Sequence, residues 1–300
     1  MTSIYHSGEL AIQQRAGVQE AAKALSHIIS QIVKPAAVDF LRTQRLAIAS
    51  TVDTSDRVWA SLLTGEPGFV QVVTGTVRIE AAPVNSDLLN ENLRVRDEIG
   101  ILAIDLATRR RLRLNGKAQV QPDGSIYVHP KQVYFNCPQY IQRRHLESDF
   151  AQPYSLPSIQ DRQTLSEEQQ QKIAQADTFF IASFHPDAGA DASHRGGNPG
   201  FVKVLSANKL VFPDYSGNNM FQTLGNISLN PNTGLLFVDF ERGSTLQLTG
   251  KAKVVWDADR LAEFTGALRV VEFEIDRVIA IAGATPLRWR FGQYSPFNPR

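Results

Sequence analysis

The chain has 300 residues, enough for two ordinary domains, and 43% of them are apolar against 20% charged, the balance of a globular protein rather than a disordered one. Thirty-one Lys and Arg against thirty Asp and Glu leave a net charge of +1, so no global field holds a nucleic acid or an anionic membrane, and any anion must be bound locally. The single cysteine, Cys137, excludes an internal disulfide and a Cys-rich zinc site; without a charged-then-apolar leader or an apolar run of roughly 20 residues, the expectation is a cytoplasmic protein.

Apolar residues at Val18, Ala22, Leu25, Ile29 and Ile32 fall three or four apart, which predicts one amphipathic helix over 9–33, limited by Pro35. From residue 57 the texture changes to short β-rich runs at 58–62, 68–73, 76–79, 99–106 and 111–121, with a helix-like interruption at 87–95. Residues 148–163 are polar, hold Pro153 and Pro157, and read as a linker. Ser166-Glu167-Glu168-Gln169 then has the form of a capping box that starts a helix.

The β-rich pattern occurs twice. Pro67–Val72 matches Pro199–Val204 at an offset of 132, and both Gly100–Asp105 with Gly234–Asp239 and Gly116–Val120 with Gly250–Val254 match at 134. Two copies of one β-domain follow: a helical segment over 1–55, a first copy over 56–147, a linker and helix start over 148–170, and a second copy over 171–300. Aligning Ala60-Ser61 with Ala182-Ser183 gives the second copy ten extra residues, a loop that holds His185 to Gly197, and binding function tends to collect in such loops.

Several chemistries are absent. Neither Gly116-Lys117 nor Gly250-Lys251 is followed by Ser or Thr, and there is no nucleophile elbow, zinc-protease motif or dinucleotide fingerprint. His185, Asp187, Asp191 and His194 fit no established metal spacing, and Cys137 reads as a small hydrophobe, so neither a metal nor a catalytic side chain is expected. In the second copy, 209–215 reads as a strand and 216–226 as a turn opening a helix. Two readings of that junction stand: an ordinary helix start capped by Ser216 or Asn218, or an anion cradle in which Gly217, Asn218 and Asn219 offer donors and Arg195 folds over to supply charge.

The order of these runs, from Pro199-Gly200-Phe201-Val202 through Phe212-Pro213-Asp214-Tyr215 and Gly217-Asn218-Asn219 to Leu246-Gln247-Leu248-Thr249-Gly250, resembles the pyridoxamine 5′-phosphate oxidase-like, FMN-binding split-barrel family. Tyr5-His6-Ser7-Gly8-Glu9, Asn136-Cys137-Pro138-Gln139-Tyr140 and Ser193-His194-Arg195-Gly196-Gly197 resemble its longer members. The resemblance implies a mainly β fold of two tandem split β-barrels with an N-terminal helical segment, and FMN as cofactor. It places FMN contacts on Phe212, Pro213, Asp214, Tyr215 and Thr245. Where the family has an Arg-Lys pair in the turn this chain has Asn218-Asn219, so His194, Arg195 or Lys203, with Ser193 beside them, must replace the grip on phosphate.

The family's barrels pair and bind FMN between them. That implies an opposite wall from the first copy at Tyr140, Arg143 and Arg144, with pairing inside one chain or in a homodimer. The implied activity is electron transfer at the flavin N5 between a reduced donor such as NAD(P)H and a small-molecule substrate, with no nucleic acid or membrane as partner. A non-catalytic flavin or haem binder and a cofactor-free relic are the alternatives. The C-terminal segment 287–300 has no counterpart of the oxidases' substrate motif.

Overall fold

In the computed structural model, described for residues 3–81, 88–147 and 158–300, strands dominate and the two copies stand out at once. The linker residues Pro153 and Pro157, and residues 82–87, lie outside the described residues.

The amino terminus forms α1 (Ser7–Arg15), α2 (Gln19–Leu25) and α3 (Pro35–Arg42). One helix over 9–33 is not what the chain adopts. Gly17 takes φ +70°, which ends α1 and redirects the chain, and Ile32 is 74% exposed. Ala22 and the half-buried Leu25 and Ile29 do pack inward, against Tyr5, Tyr134 and Met220. α1 starts with His6 as its cap, in a reciprocal box with Glu9.

The first sheet comprises β1 (Leu46–Val52), β2 (Val58–Thr64), β3 (Val70–Val73), β4 (Thr76–Ile79), β5 (Glu98–Asp105), β6 (Arg110–Val120) and β7 (Ile126–Asn136), with α4 (Leu89–Val95) between β4 and β5. A short strand β8 (Arg143–Leu146) ends this half, and β9 (Ser158–Arg162) and α5 (Glu167–Gln175) lead into the next; the Ser166–Gln169 capping box is formed as the sequence suggests.

The second sheet comprises β10 (Thr178–His185), β11 (Gly189–Gly196), β12 (Lys203–Ser206), β13 (Lys209–Asp214), β14 (Asn232–Asp239), β15 (Ser244–Val255) and β16 (Arg269–Ala282), with α6 (Gln222–Leu229) before β14 and α7 (Ala258–Ala262) before β16. The last strand, β17 (Trp289–Gln293), pairs with β8 and ties the carboxyl end to the first half. The first sheet thus starts at β1, before residue 56, and β9 lies within the stretch read as a linker, paired to β16.

Strand order is β2-β1-β5-β6-β7-β4-β3 in one sheet and β11-β10-β14-β15-β16-β13-β12 in the other, so each strand has its counterpart in the same place. This corrects the ten-residue insertion. Ser50 pairs with Ala60, and Ala182 with Ala192, each 132 positions later, so β10 corresponds to β1 and β11 to β2. The Ala-Ser match had set the outer strand of one hairpin against the inner strand of the other. Residues 189–196 are therefore strand, and Arg195 is held rigidly in a ladder rather than carried on a loop.

Each barrel has its own apolar core. A third core lies between them, where Ile48, Val58, Ala60, Leu62 and Leu102 meet Phe180, Ala182, Ala190, Ala192 and Leu236. At two glycines the sheets meet backbone to backbone. A Cβ on Gly100 of β5 would lie 2.6 Å from Cα of Asp191 on β11, and one on Gly234 of β14 would lie 2.7 Å from the carbonyl oxygen of Val58 and 3.0 Å from Cα of Trp59 on β2. Both positions leave no room for a side chain, and the contacts are related by the same internal two-fold as the sheets.

Gly100→Val forces the sheets apart at backbone, which cannot yield as a side-chain tip does. Chemical denaturation is expected to show a loss of about 3 kcal/mol or more, in the range of overpacked and strained core sites.

Candidate functional site

The seam between the barrels opens at one end into a cleft with residues from both copies. β6 and the chain after β7 contribute Arg111, Arg113, Cys137 and Tyr140; β11 contributes Ser193, His194 and Arg195; and the junction from β13 to α6 contributes Pro213 to Asn219 and Phe221 to Leu224. The cleft is partly open to solvent, and its cavity volume is about 100 Å³.

Arg111 and Arg113 are two apart on β6 and so share a face. Arg113 lies 2.9 Å from Asp191 and donates to Ser193 Oγ at 2.6 Å, to the Tyr134 hydroxyl at 2.8 Å and to Gln222 Oε1 at 3.1 Å. Asp191 also accepts from Thr223 Oγ1 at 3.0 Å, which ties β6, β11 and α6 into one buried network. Asp214 at the end of β13 is shared by Arg269, at 2.7 Å, and Arg195, at 3.6 Å.

Arg111 differs. It donates to the Cys137 carbonyl at 2.9 Å and meets His194 Nδ1 at 3.2 Å, and no carboxylate among the described residues pairs with it. Burial pushes its pKa down to about 9, with Arg113 and Arg195 adding to the effect, and it remains a cation at neutral pH. Four guanidinium groups thus face two carboxylates, an excess that suits a dianion.

His194 is 2% exposed, and burial, reinforced by Arg111 and Arg195, holds its pKa well below the ordinary value. The ring is neutral, and with Arg111 donating to Nδ1 the proton must sit on Nε2. Among the described residues that Nε2 is buried without a hydrogen-bond partner, as are Arg195 Nε and Gln222 Nε2. Three hydrogen-bond donors lining one cleft therefore lack acceptors, each a desolvated group whose cost a ligand oxygen removes.

The turn that opens α6 is unusual. Asn219 and Phe221 have φ of 60° and 62°, Asn218 Oδ1 accepts from the Met220 N–H at 3.1 Å, and Gln13 of α1 donates to the Met220 carbonyl at 3.1 Å. Neither Ser216 nor Asn218 is the helix cap. Phe221 occupies that place in a left-handed conformation and offers no capping side chain, so the first turn of α6 has no side-chain cap.

Of the residues expected at the site, the structure brings together Ser193, His194, Arg195, Pro213, Asp214, Tyr215, Gly217, Asn218, Asn219 and Tyr140. Tyr140 and Tyr215, one from each half, have ring centroids 5.2 Å apart. Five residues lie elsewhere. Phe212 is fully buried in the second core against Phe179; Lys203 pairs with Glu263 at 3.1 Å on the surface; Thr245 lines a separate cavity beside α5. Arg144 is committed to Asp177 at 2.5 Å and to the Phe240 ring, and Arg143 sits in the β8–β17 ribbon.

His185 Nδ1 accepts from the Asp187 and Ala188 N–H groups, and no cluster of His, Cys, Asp and Glu suited to a metal forms among the described residues. Nor is any helix among them long and apolar enough to cross a membrane. Arg111, Arg113, Gln222 and Thr223 are the site residues that sequence reasoning passed over; the alternation of Arg111 and Arg113 with Leu112 and Leu114 on a strand was the available signal.

Behind the cleft, α1 supplies Glu9, 3% exposed, whose pKa burial pushes up to about 8, with Asp191 adding and the His6 N–H opposing. His6 is pushed down to about 4 by burial and by His185.

Residues 165–281 match the family model described as pyridoxamine 5′-phosphate oxidase. Among solved structures, the chain is similar to a pyridoxinephosphate oxidase family protein from Clostridium acetobutylicum related to general stress protein 26 (11% identity, TM-score 0.31, 41% of this chain and 92% of that one). It is also similar to an FAD-binding protein from Mesorhizobium loti (13%, 0.29, 41% and 98%) and to a heme binding protein from Mycobacterium smegmatis (15%, 0.26, 35% and 55%). No curated protein matches the sequence.

The folded chain keeps the Glu9 proton up to about pH 8, whereas the unfolded carboxyl releases it near 4.5. The folded state binds more protons across that window, so its stability falls as pH rises through it. His6 acts in the opposite sense between about pH 4 and 6.5, which leaves the Glu9 effect alone above 6.5. Thermal melts are expected to show Tm falling from pH 6.5 to 8, and Glu9→Gln to flatten that slope.

Proposed function

We propose, from the match of residues 165–281 to the pyridoxamine 5′-phosphate oxidase family model, that this chain binds FMN in the cleft between its two barrels and works as an oxidoreductase. The observation that carries the reading is the set of orphaned donors, His194 Nε2, Arg195 Nε and Gln222 Nε2, gathered beside an Arg111 with no carboxylate. These groups fit a phosphate monoester: charge-assisted donors on several sides, a neutral imidazole N–H, and the open first turn of α6.

A cavity volume of about 100 Å³ suits a phosphoryl group better than a three-ring system, so the flavin ring belongs at the open mouth, where Tyr140 and Tyr215 offer aromatic faces. Bound flavin supplies two-electron chemistry at N5, between a reduced nicotinamide donor and a small-molecule acceptor. The chain's own residues bind and orient. Asp191 holds Arg113 in place, Arg113 fixes Ser193 and Gln222, and Asp214 restrains Arg195, so that the donors keep their positions before the ligand arrives.

The test is the absorption spectrum of freshly purified protein, then titration with FMN and with riboflavin, which lacks the phosphate. Flavin bands bleached by NADPH or NADH are expected; a Soret band in their place would overturn the reading. Arg195→Ala and Arg111→Met should each weaken FMN binding by about 1.5–3 kcal/mol and leave riboflavin affinity unchanged. Equal FMN affinity in variant and parent removes that arginine from the phosphate site.

A further inference from the structure

The internal two-fold that relates the sheets also defines a counterpart to the cleft, and its residues can be read position by position. On β2 the counterparts of Asp191, Ser193, His194 and Arg195 are Trp59, Ser61, Leu62 and Leu63, since Thr51 pairs with Trp59 as Ser183 pairs with Asp191. On β15 the counterparts of Arg111 and Arg113 are Thr245 and Gln247, set opposite Val238 and Leu236 as Arg111 and Arg113 are set opposite Ile104 and Leu102. The three-dimensional contacts agree with this correspondence. Gly234 lies against Trp59 as Gly100 lies against Asp191, and Gln247 Nε2 reaches Ser61 Oγ at 3.5 Å and the Ala60 carbonyl at 2.9 Å where Arg113 reaches Ser193.

The chemistry has been inverted. Every cation and the imidazole of the cleft are replaced by uncharged or apolar side chains, and those side chains are buried. Leu63 belongs to the core of the first barrel and Leu62 to the core between barrels. Trp59, 1% exposed, packs with Ile279, Ile281 and Ala284, and its indole N–H donates to Asp53 Oδ2 at 3.0 Å. The nearby cation, Arg277, is held by Asp161 through two hydrogen bonds, at 2.6 and 3.0 Å. The cavity that Thr245 does line reaches Ile281, the counterpart of Asn136, but its other walls are α5 and residues of β8, β9, β10 and β14, and it holds no residue of β2, so it lacks the counterparts of the β11 donors.

We propose that one chain holds one phosphate-bearing flavin, and that the two-fold counterpart of the cleft is a structural seal closed by Trp59, Leu62 and Leu63. The proposal rests on the FMN reading of the cleft. It makes the halves unequal partners: the second presents the donors of β11 and the α6 turn, the first contributes Arg111 and Arg113 across the seam, and the reciprocal exchange does not occur.

Titration of the cofactor-stripped chain with FMN, followed by quenching of flavin fluorescence, separates the two ideas. A single break at one FMN per chain is expected, and Arg195→Ala should shift that event at least tenfold with no second event beneath it. A break at two per chain, or a saturable equivalent that keeps its affinity in Arg195→Ala, overturns the seal and leaves the FMN reading intact. No saturable binding at all overturns the FMN reading, and the stoichiometry with it.

Discussion

Backbone-to-backbone contact between the two sheets is the constraint on which the rest of this structure depends. With a side chain at Gly100 or Gly234, β5 and β11, or β14 and β2, could not approach as they do. The close approach buries the apolar residues between the barrels, and at the end of the seam it sets β6 of one copy against β11 and α6 of the other. No single barrel could assemble the cleft, because Arg113 is neutralised by Asp191 and Arg269 by Asp214, and the first of these pairs spans the two halves.

Burying cations at such a seam is costly unless each charge finds a partner, and the cleft meets that condition only in part. Asp191 and Asp214 answer two guanidinium groups; among the described residues Arg111 has no carboxylate partner, and Arg195 shares Asp214 with Arg269. The neutral His194 fits the same logic, since a protonated ring next to Arg111 would add a further unanswered charge. The arrangement is held ready by groups outside the cleft, above all by Gln13, which reaches from α1 to the carbonyl of Met220 between two left-handed residues of the turn.

The two halves share a fold and differ in what the fold is used for. Strand for strand they agree in order and register, so the polar set on β11 and the apolar set on β2 are alternatives at the same structural positions. Where β2 carries Trp59, Leu62 and Leu63 it adds to the cores; where β11 carries Asp191, His194 and Arg195 it leaves donors unsatisfied. A duplicated scaffold allows this, because either half can supply packing while the other carries the polar site.

Much was legible in the amino acids. The repeated Pro-Gly-Phe-Val and Gly-Lys-Ala runs carry a period that only two similar domains produce, the capping box at Ser166 announces its helix, and the strand ending at Asp214 followed by Gly217-Asn218-Asn219 marks the turn where the cleft lies. Local signals of this kind are set by neighbours along the chain. Which hairpin strand matched which was not local: Ala-Ser recurs in adjacent strands, and only the ladder of hydrogen bonds separates β10 from β11. The contribution of Arg111 and Arg113, the tautomer of His194 and the burial of Phe212 depended on what lies across the seam or beneath the sheet, at separations of about eighty residues or more for the arginines. Residue type and spacing determined that this chain is a doubled β-barrel with a turn opening a helix after Asp214; the packing of one barrel on the other decided which side chains face that turn, because charge and burial are properties of neighbours in space.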